Sequence, residues 1–100
     1  MSIDERAQAV LDLKTLELPA VPRVLSIEVE PDVGTDGEDA LRVYVIMPDD
    51  TTDESLLGGN VLQIKRAIHR RLIEEGIDLF PIVYLRTESE RREDLEEIGR

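Results

Sequence analysis

Two segments set the architecture: ALRVYVIM at residues 40–47 and NVLQIKRAIHRRLIEEG at residues 60–76. In the first, Leu41, Val43, Val45 and Met47 alternate with Arg42, Tyr44 and Ile46. Successive side chains of a strand point to opposite faces, so this is a strand with one apolar face and one mixed face. In the second, Val61, Ile64, Ile68 and Leu72 recur at helical spacing. Gly76 follows where a helix ends on a left-handed residue, which predicts a helix over about 61–75. A strand followed by a helix requires a crossover, and a crossover lays the next strand parallel when the two are neighbours.

Working outward, Leu25, Ile27 and Val29 alternate with Val24, Ser26, Glu28 and Glu30, predicting a strand over 23–30. Between these strands, Pro31 to Asp39 is rich in turn formers and reads as a long hairpin loop. A last strand is expected over 79–87, with Val83 and Leu85 against Ile82, Tyr84 and Arg86. Ser2 and Glu5 have the spacing of a capping box, and Ile3, Ala7, Val10 and Leu11 continue it as a helix over 3–15. Pro19 and Pro22 stop that helix, since proline cannot donate to a continuing one. Asn60 and Gln63 repeat the capping pattern before the second helix. From Glu88 to Arg100 only Leu95 and Ile98 are apolar. That stretch is expected to be a short, weakly docked helix or an acidic tail contributing little to stability. The order is α-β-β-α-β: an α+β, two-layer domain over 1–87 with a three-stranded mixed sheet and helices packed on it.

The chain has 100 residues, 41% of them hydrophobic, with two Tyr, one Phe and no Trp, so aliphatic side chains fill the core. There is no Cys, which excludes disulfides, thiolate metal sites and a cysteine nucleophile. Asp4 and Glu5 interrupt any signal-peptide pattern. No apolar run reaches the roughly 20 residues that span a bilayer. A cytoplasmic protein with no membrane partner is expected. Residues 1–60 hold 14 acids against 4 bases, residues 61–87 hold 5 bases against 3 acids, and the whole carries −11. Such a charge repels nucleic acid at long range and attracts a basic partner.

In element order and apolar pattern, the segment from Val24 to Thr87 resembles the small αββαβ cytoplasmic domains of bacterial cation-efflux transporters. The chain lacks the histidines that such domains use for metal, and no function is carried over from the resemblance.

Asp32, Gly34, Asp36 and Gly37 fall at positions 1, 3, 5 and 6 of an EF-hand-like pattern. The match fails at position 3, which should offer oxygen, and at position 12, where Val43 replaces a bidentate Glu. The acids group as Glu28, Glu30, Asp32, Asp36, Glu38 and Asp39 near the turn, and as Asp49, Asp50, Asp53 and Glu54 at the other end of the strands. Paired carboxylates do acid–base chemistry only in a desolvated pocket, and loops this polar do not supply one. His69 is the single histidine, so no catalytic centre, metal site or cofactor is expected. Lys65, Arg66, Arg70 and Arg71 surround it and form an alternative nucleic-acid surface. Arg70 and Arg71 also stand four residues before Glu74 and Glu75, a helical pairing distance.

The sharpest signal is the reverse face of the sheet. Tyr44, Ile46, Ile82 and Tyr84 share it, bordered by Arg42 and Arg86. Tyr and Arg are enriched at protein–protein hot spots. Two outcomes follow: the first helix covers this face, or a partner does. The expected function is a non-enzymatic protein-interaction module, an acidic subunit or antitoxin-like regulator that binds a basic protein or a second copy of itself. Nucleic-acid association through the second helix, and metal or ligand sensing through the hairpin loop, are the alternatives.

Overall fold

The computed structural model describes residues 2–98. Its elements are α1 (Ile3–Val10), β1 (Ser26–Val33), β2 (Asp39–Met47), a 3-10 turn (Asp53–Leu56), α2 (Asn60–Glu74), β3 (Phe80–Thr87) and α3 (Glu88–Ile98). The sheet has the order β1-β2-β3. β1 runs antiparallel to β2, and β3 runs parallel to it across the α2 crossover. β2 is therefore the central strand, and seven of its nine residues are buried. The expected α+β sheet with helices packed on it is present, with the strand order now fixed.

One face of the sheet carries Ile27, Leu41, Val43 and Val45, which pack with Ala7, Leu11, Ile64, Ile68, Leu72 and Ile77 into one apolar cluster. α1 and α2 thus lie on the same side. α2 closes as expected: Gly76 adopts φ +73°, and the Ile77 N–H donates to the Leu72 carbonyl at 2.9 Å. This six-to-one bond is the Schellman arrangement, and the Ile77 side chain follows it into the core.

Three boundaries differ from the expectation. α1 ends at Val10 instead of continuing to 15, because the Asp12 carboxylate accepts from the Lys14 N–H at 3.0 Å and its carbonyl accepts from the Thr15 hydroxyl at 3.0 Å. A short polar side chain that satisfies local backbone groups competes with helix. β1 begins and ends later, at Ser26 and Val33, and shrinks the hairpin loop to residues 34–38. Pro31 is tolerated there because β1 is an edge strand. Asn60 does not cap α2; Gly59 holds that position, and the Asn60 amide donates to the Ser55 carbonyl at 2.9 Å.

The free edge of β1 is closed by one side chain. The Gln8 amide donates to the Ile27 carbonyl at 2.7 Å and accepts from the Val29 N–H at 2.8 Å, as a neighbouring strand would.

The α2 stripe generates a stability prediction. Ile68→Ala should cost about 2–5 kcal/mol by chemical denaturation, the usual cost of truncating a buried aliphatic side chain. His69→Ala, one residue on and outside the buried stripe, should stay within about 0.5 kcal/mol of wild type. A loss at His69 equal to that at Ile68 would contradict this placement of α2.

Candidate functional site

On the reverse face, strand register builds three cross-strand rows: Ser26–Ile46–Arg86, Glu28–Tyr44–Tyr84 and Glu30–Arg42–Ile82. The two tyrosines share one surface, as the alternation requires, with ring centroids 5.6 Å apart and planes 28° from parallel. The Arg86 guanidinium lies 5.3 Å from the Tyr84 centroid. Arg42 donates to both carboxylate oxygens of Asp32, at 3.2 and 3.1 Å.

Neither of the expected outcomes describes this face. α1 does not cover it; α3 does, and through polar anchors. The Arg91 guanidinium sits 3.8 Å from the Tyr44 ring centroid and donates to Glu28 at 2.7 Å and to Glu30 at 2.9 Å. Arg91 is only 6% exposed, and the same roof leaves Tyr44 6% exposed. Ile46 is buried as well, whereas Ile82, Tyr84, Arg42 and Arg86 are half-buried. The six residues expected to form an open partner patch are thus gathered on one face, but α3 closes its centre. Arg86 is held at 3.3 Å from Asp94 of the same helix.

The start of α3 is fixed twice. Thr87 and Glu90 make a reciprocal capping box: the Thr87 N–H donates to Glu90 at 2.9 Å, and the Glu90 N–H donates to the Thr87 hydroxyl at 3.2 Å. Asp49, beyond the end of β2, accepts from the Ser89 N–H at 2.8 Å and from its hydroxyl at 2.7 Å. The Thr-x-x-Glu signature at 87–90 was the available signal that residues 88–98 form a helix. Leu95, the expected anchor, is half-exposed, and the side chain of Ile98 lies outside the described residues.

Two carboxyls of this region titrate low. The Ser89 N–H and then its hydroxyl hold Asp49 below the ordinary value of 3.8. The Val33 N–H and then the Arg42 guanidinium do the same to Asp32. For Arg91, burial works against the charge, but hydrogen bonds to Glu28 and Glu30 outweigh it and raise the pKa above its ordinary value.

The remaining candidates separate. Arg71 is drawn into internal pairing, 2.9 Å from Glu75, with a bond to the Val10 carbonyl at 3.2 Å. Arg70 approaches Glu17 at 4.0 Å rather than Glu74. Lys65 and Arg66 are exposed and have no ion-pair partner among the described residues. His69 meets Phe80 edge-on, centroids 5.6 Å apart. In the hairpin loop, Asp32 is committed to Arg42, and Asp36 accepts from the Glu38 N–H at 3.2 Å. Among the described residues, no group of three or more His, Cys, Asp or Glu could hold a metal ion.

One open concavity was not anticipated. A groove of about 360 Å³ runs between α2 and the outer edge of β3, lined by Leu62, Lys65, Arg66, His69, Phe80 and Val83 among others. Phe80 is 66% exposed and Leu62 49% exposed, the largest apolar side chains bared on these elements apart from Ile73. Leu62 stands off the α2 core stripe, and Phe80 opens β3; a hydrophobic residue off the buried period was the signal.

No helix of the described residues is long and apolar enough to cross a membrane. Comparison with protein-family models, curated proteins and solved structures found no match to this chain. The likeness in element order to efflux-transporter domains therefore gains no counterpart.

Two predictions follow from the α3 contacts. Deleting residues 88–100 should lower the thermal midpoint by about 8 °C or more, equivalent to roughly 1–2 kcal/mol in a domain this size. Arg91→Ala alone should cost about 1–3 kcal/mol, since Glu28 and Glu30 lose a charged donor but regain water. An unchanged midpoint in both would show that α3 stabilises nothing.

The lowered carboxyls set the direction of the acid response. A depressed folded-state pKa contributes stability that is complete above the unfolded value and drains away as pH falls through the folded one. Unfolding free energy should therefore decline as pH drops from about 5 toward 2, and Asp49→Asn should make that decline shallower. An identical slope in the variant would detach Asp49 from the docking of α3.

Proposed function

We propose that this chain is a non-enzymatic protein-interaction module, a small acidic subunit or regulator that docks a protein partner at the groove between α2 and β3. The observation that carries the reading is the exposure of Phe80 and Leu62 along the same groove. A concave surface that bares apolar side chains beside charged ones is the kind of surface that proteins use for binding. The Tyr44 face supports the same reading indirectly, since α3 covers its centre from within and leaves the groove as an apolar surface still open. The charge of −11 favours approach by a basic protein and accelerates encounter without supplying most of the affinity. Pairing of Arg71 with Glu75 weakens the nucleic-acid alternative, because it leaves three cations rather than four for phosphate.

The test is paired capture from the native host with wild type and Phe80→Asp, each first shown to melt normally. A partner recovered stoichiometrically by wild type should be lost with the variant. Equal recovery by both, or no specific recovery by wild type, would overturn the docking surface.

A further inference from the structure

The two edges of the sheet are treated differently. Gln8 occupies the β1 edge, filling the Ile27 carbonyl and the Val29 N–H. Along β3, no protein group among the described residues pairs with the outer backbone between Phe80 and Tyr84. The direction of those groups follows from two residues. Pro81 has no N–H to give, so it fits the β2 ladder only with its backbone turned outward. Strand alternation then turns Val83 and Leu85 outward too. Leu85 agrees: its carbonyl accepts from the Arg86 guanidinium at 3.0 Å rather than from β2. Pro81 itself is buried, so the open edge presents the Val83 carbonyl and the Val83 and Leu85 N–H groups, beside a groove that exposes Leu62 and Phe80.

Charge identifies what fits. The groove is lined by Lys65, Arg66 and His69 and by no acid, on a molecule whose net charge is −11. We infer that the occupant is an extended acidic segment of a partner protein, which adds to the sheet as a fourth strand beside β3. Its backbone would pair with Val83 and Leu85. Its apolar side chains would lie along the groove against Phe80 and Leu62, and its carboxylates would face Lys65 and Arg66. Main-chain bonds supply affinity in such strand addition, and the pockets for alternate side chains supply specificity. A second copy adding its own β3 would set Lys65 and Arg66 against their like, so a heterologous strand is favoured over a dimer. Screening over about 8 Å confines this preference to the segment inside the groove, so the body of the partner can still be basic. The inference rests on the interaction reading above and specifies its ligand.

The test uses the full chain, isotopically labelled, and three nine-residue blocked peptides at fixed salt: alternating Glu and Val, alternating Lys and Val, and the Glu–Val peptide N-methylated at alternate residues. Amide shifts of Val83 and Leu85 report binding at the edge. The Glu–Val peptide should bind there at least about tenfold more tightly than either other peptide, a difference of about 1.4 kcal/mol. Net charge alone would favour the Lys–Val peptide, so the order is diagnostic. Lys65→Glu/Arg66→Glu should reverse the preference between the two charged peptides, and Phe80→Ser should weaken both. Binding of the Glu–Val peptide that is absent, unchanged by the charge reversal, or unaffected by N-methylation would overturn the inference. So would a doubled solution mass that Phe80→Ser abolishes, which would assign the groove to a second copy. If the host partner is lost with Phe80→Asp but retained with Lys65→Glu/Arg66→Glu, the interaction surface stands and the acidic-strand ligand fails.

Discussion

A guanidinium lies over a tyrosine ring and is held by two carboxylates: Arg91 over Tyr44, bonded to Glu28 and Glu30. The arrangement of the rest of the surface depends on it. α3 is eleven residues long and mostly charged, and an isolated helix of that length does not persist in water. It also lacks an apolar stripe, with Leu95 half out in solvent. What holds it is therefore polar: the Arg91 fork, the Arg86–Asp94 pair, and the Asp49 carboxylate at its first turn. A hydrogen bond from a largely buried guanidinium such as that of Arg91 contributes on the order of 1.5–3 kcal/mol net of the water it replaces. Arginine suits this place better than lysine, since a planar, weakly hydrated fork can stack on a ring and reach two acids together.

Closing this face changes the meaning of the charges. Glu28, Glu30, Asp32 and Asp49 look like half of an acidic surface in the linear chain, yet each accepts hydrogen bonds within the molecule. Arg71 is similarly drawn inward, toward Glu75 and the Val10 carbonyl. What is left for partners includes an acidic exterior and a groove where Lys65 and Arg66 flank exposed apolar side chains. The helices on the two faces of the sheet then divide the work. α1 and α2 bury the aliphatic core, α3 seals the tyrosines, Gln8 blocks one edge, and the β3 edge stays open.

Period alone was enough for most of the fold. The alternation of 40–47 and the spacing of Ile64, Ile68 and Leu72 placed the central strand and the core helix, and it set both tyrosines on one face. The misplaced boundaries arose where side chains compete with backbone, at Asp12, which ends α1, and at Asn60, which turns to Ser55 rather than capping α2. The role of α3 was hidden for a different reason. Hydrophobic pattern finds helices that dock by apolar area, whereas this one docks by an arginine whose carboxylate partners lie more than sixty residues away. Only the Thr87–Glu90 capping pair marked it locally. The groove escaped because it needs tertiary structure to set α2 against the edge of β3.

Tyr44 is the residue on which these relations converge, and with Tyr84 it accounts for both tyrosines in a chain without tryptophan. In a Tyr84→Phe background its emission is therefore a direct reporter of the covered face. Acrylamide quenching of Tyr44 should be weak in the full chain and should rise toward that of free tyrosine when residues 88–100 are removed. Free quenching of Tyr44 in the full chain would contradict the account, because α3 would then leave the face open.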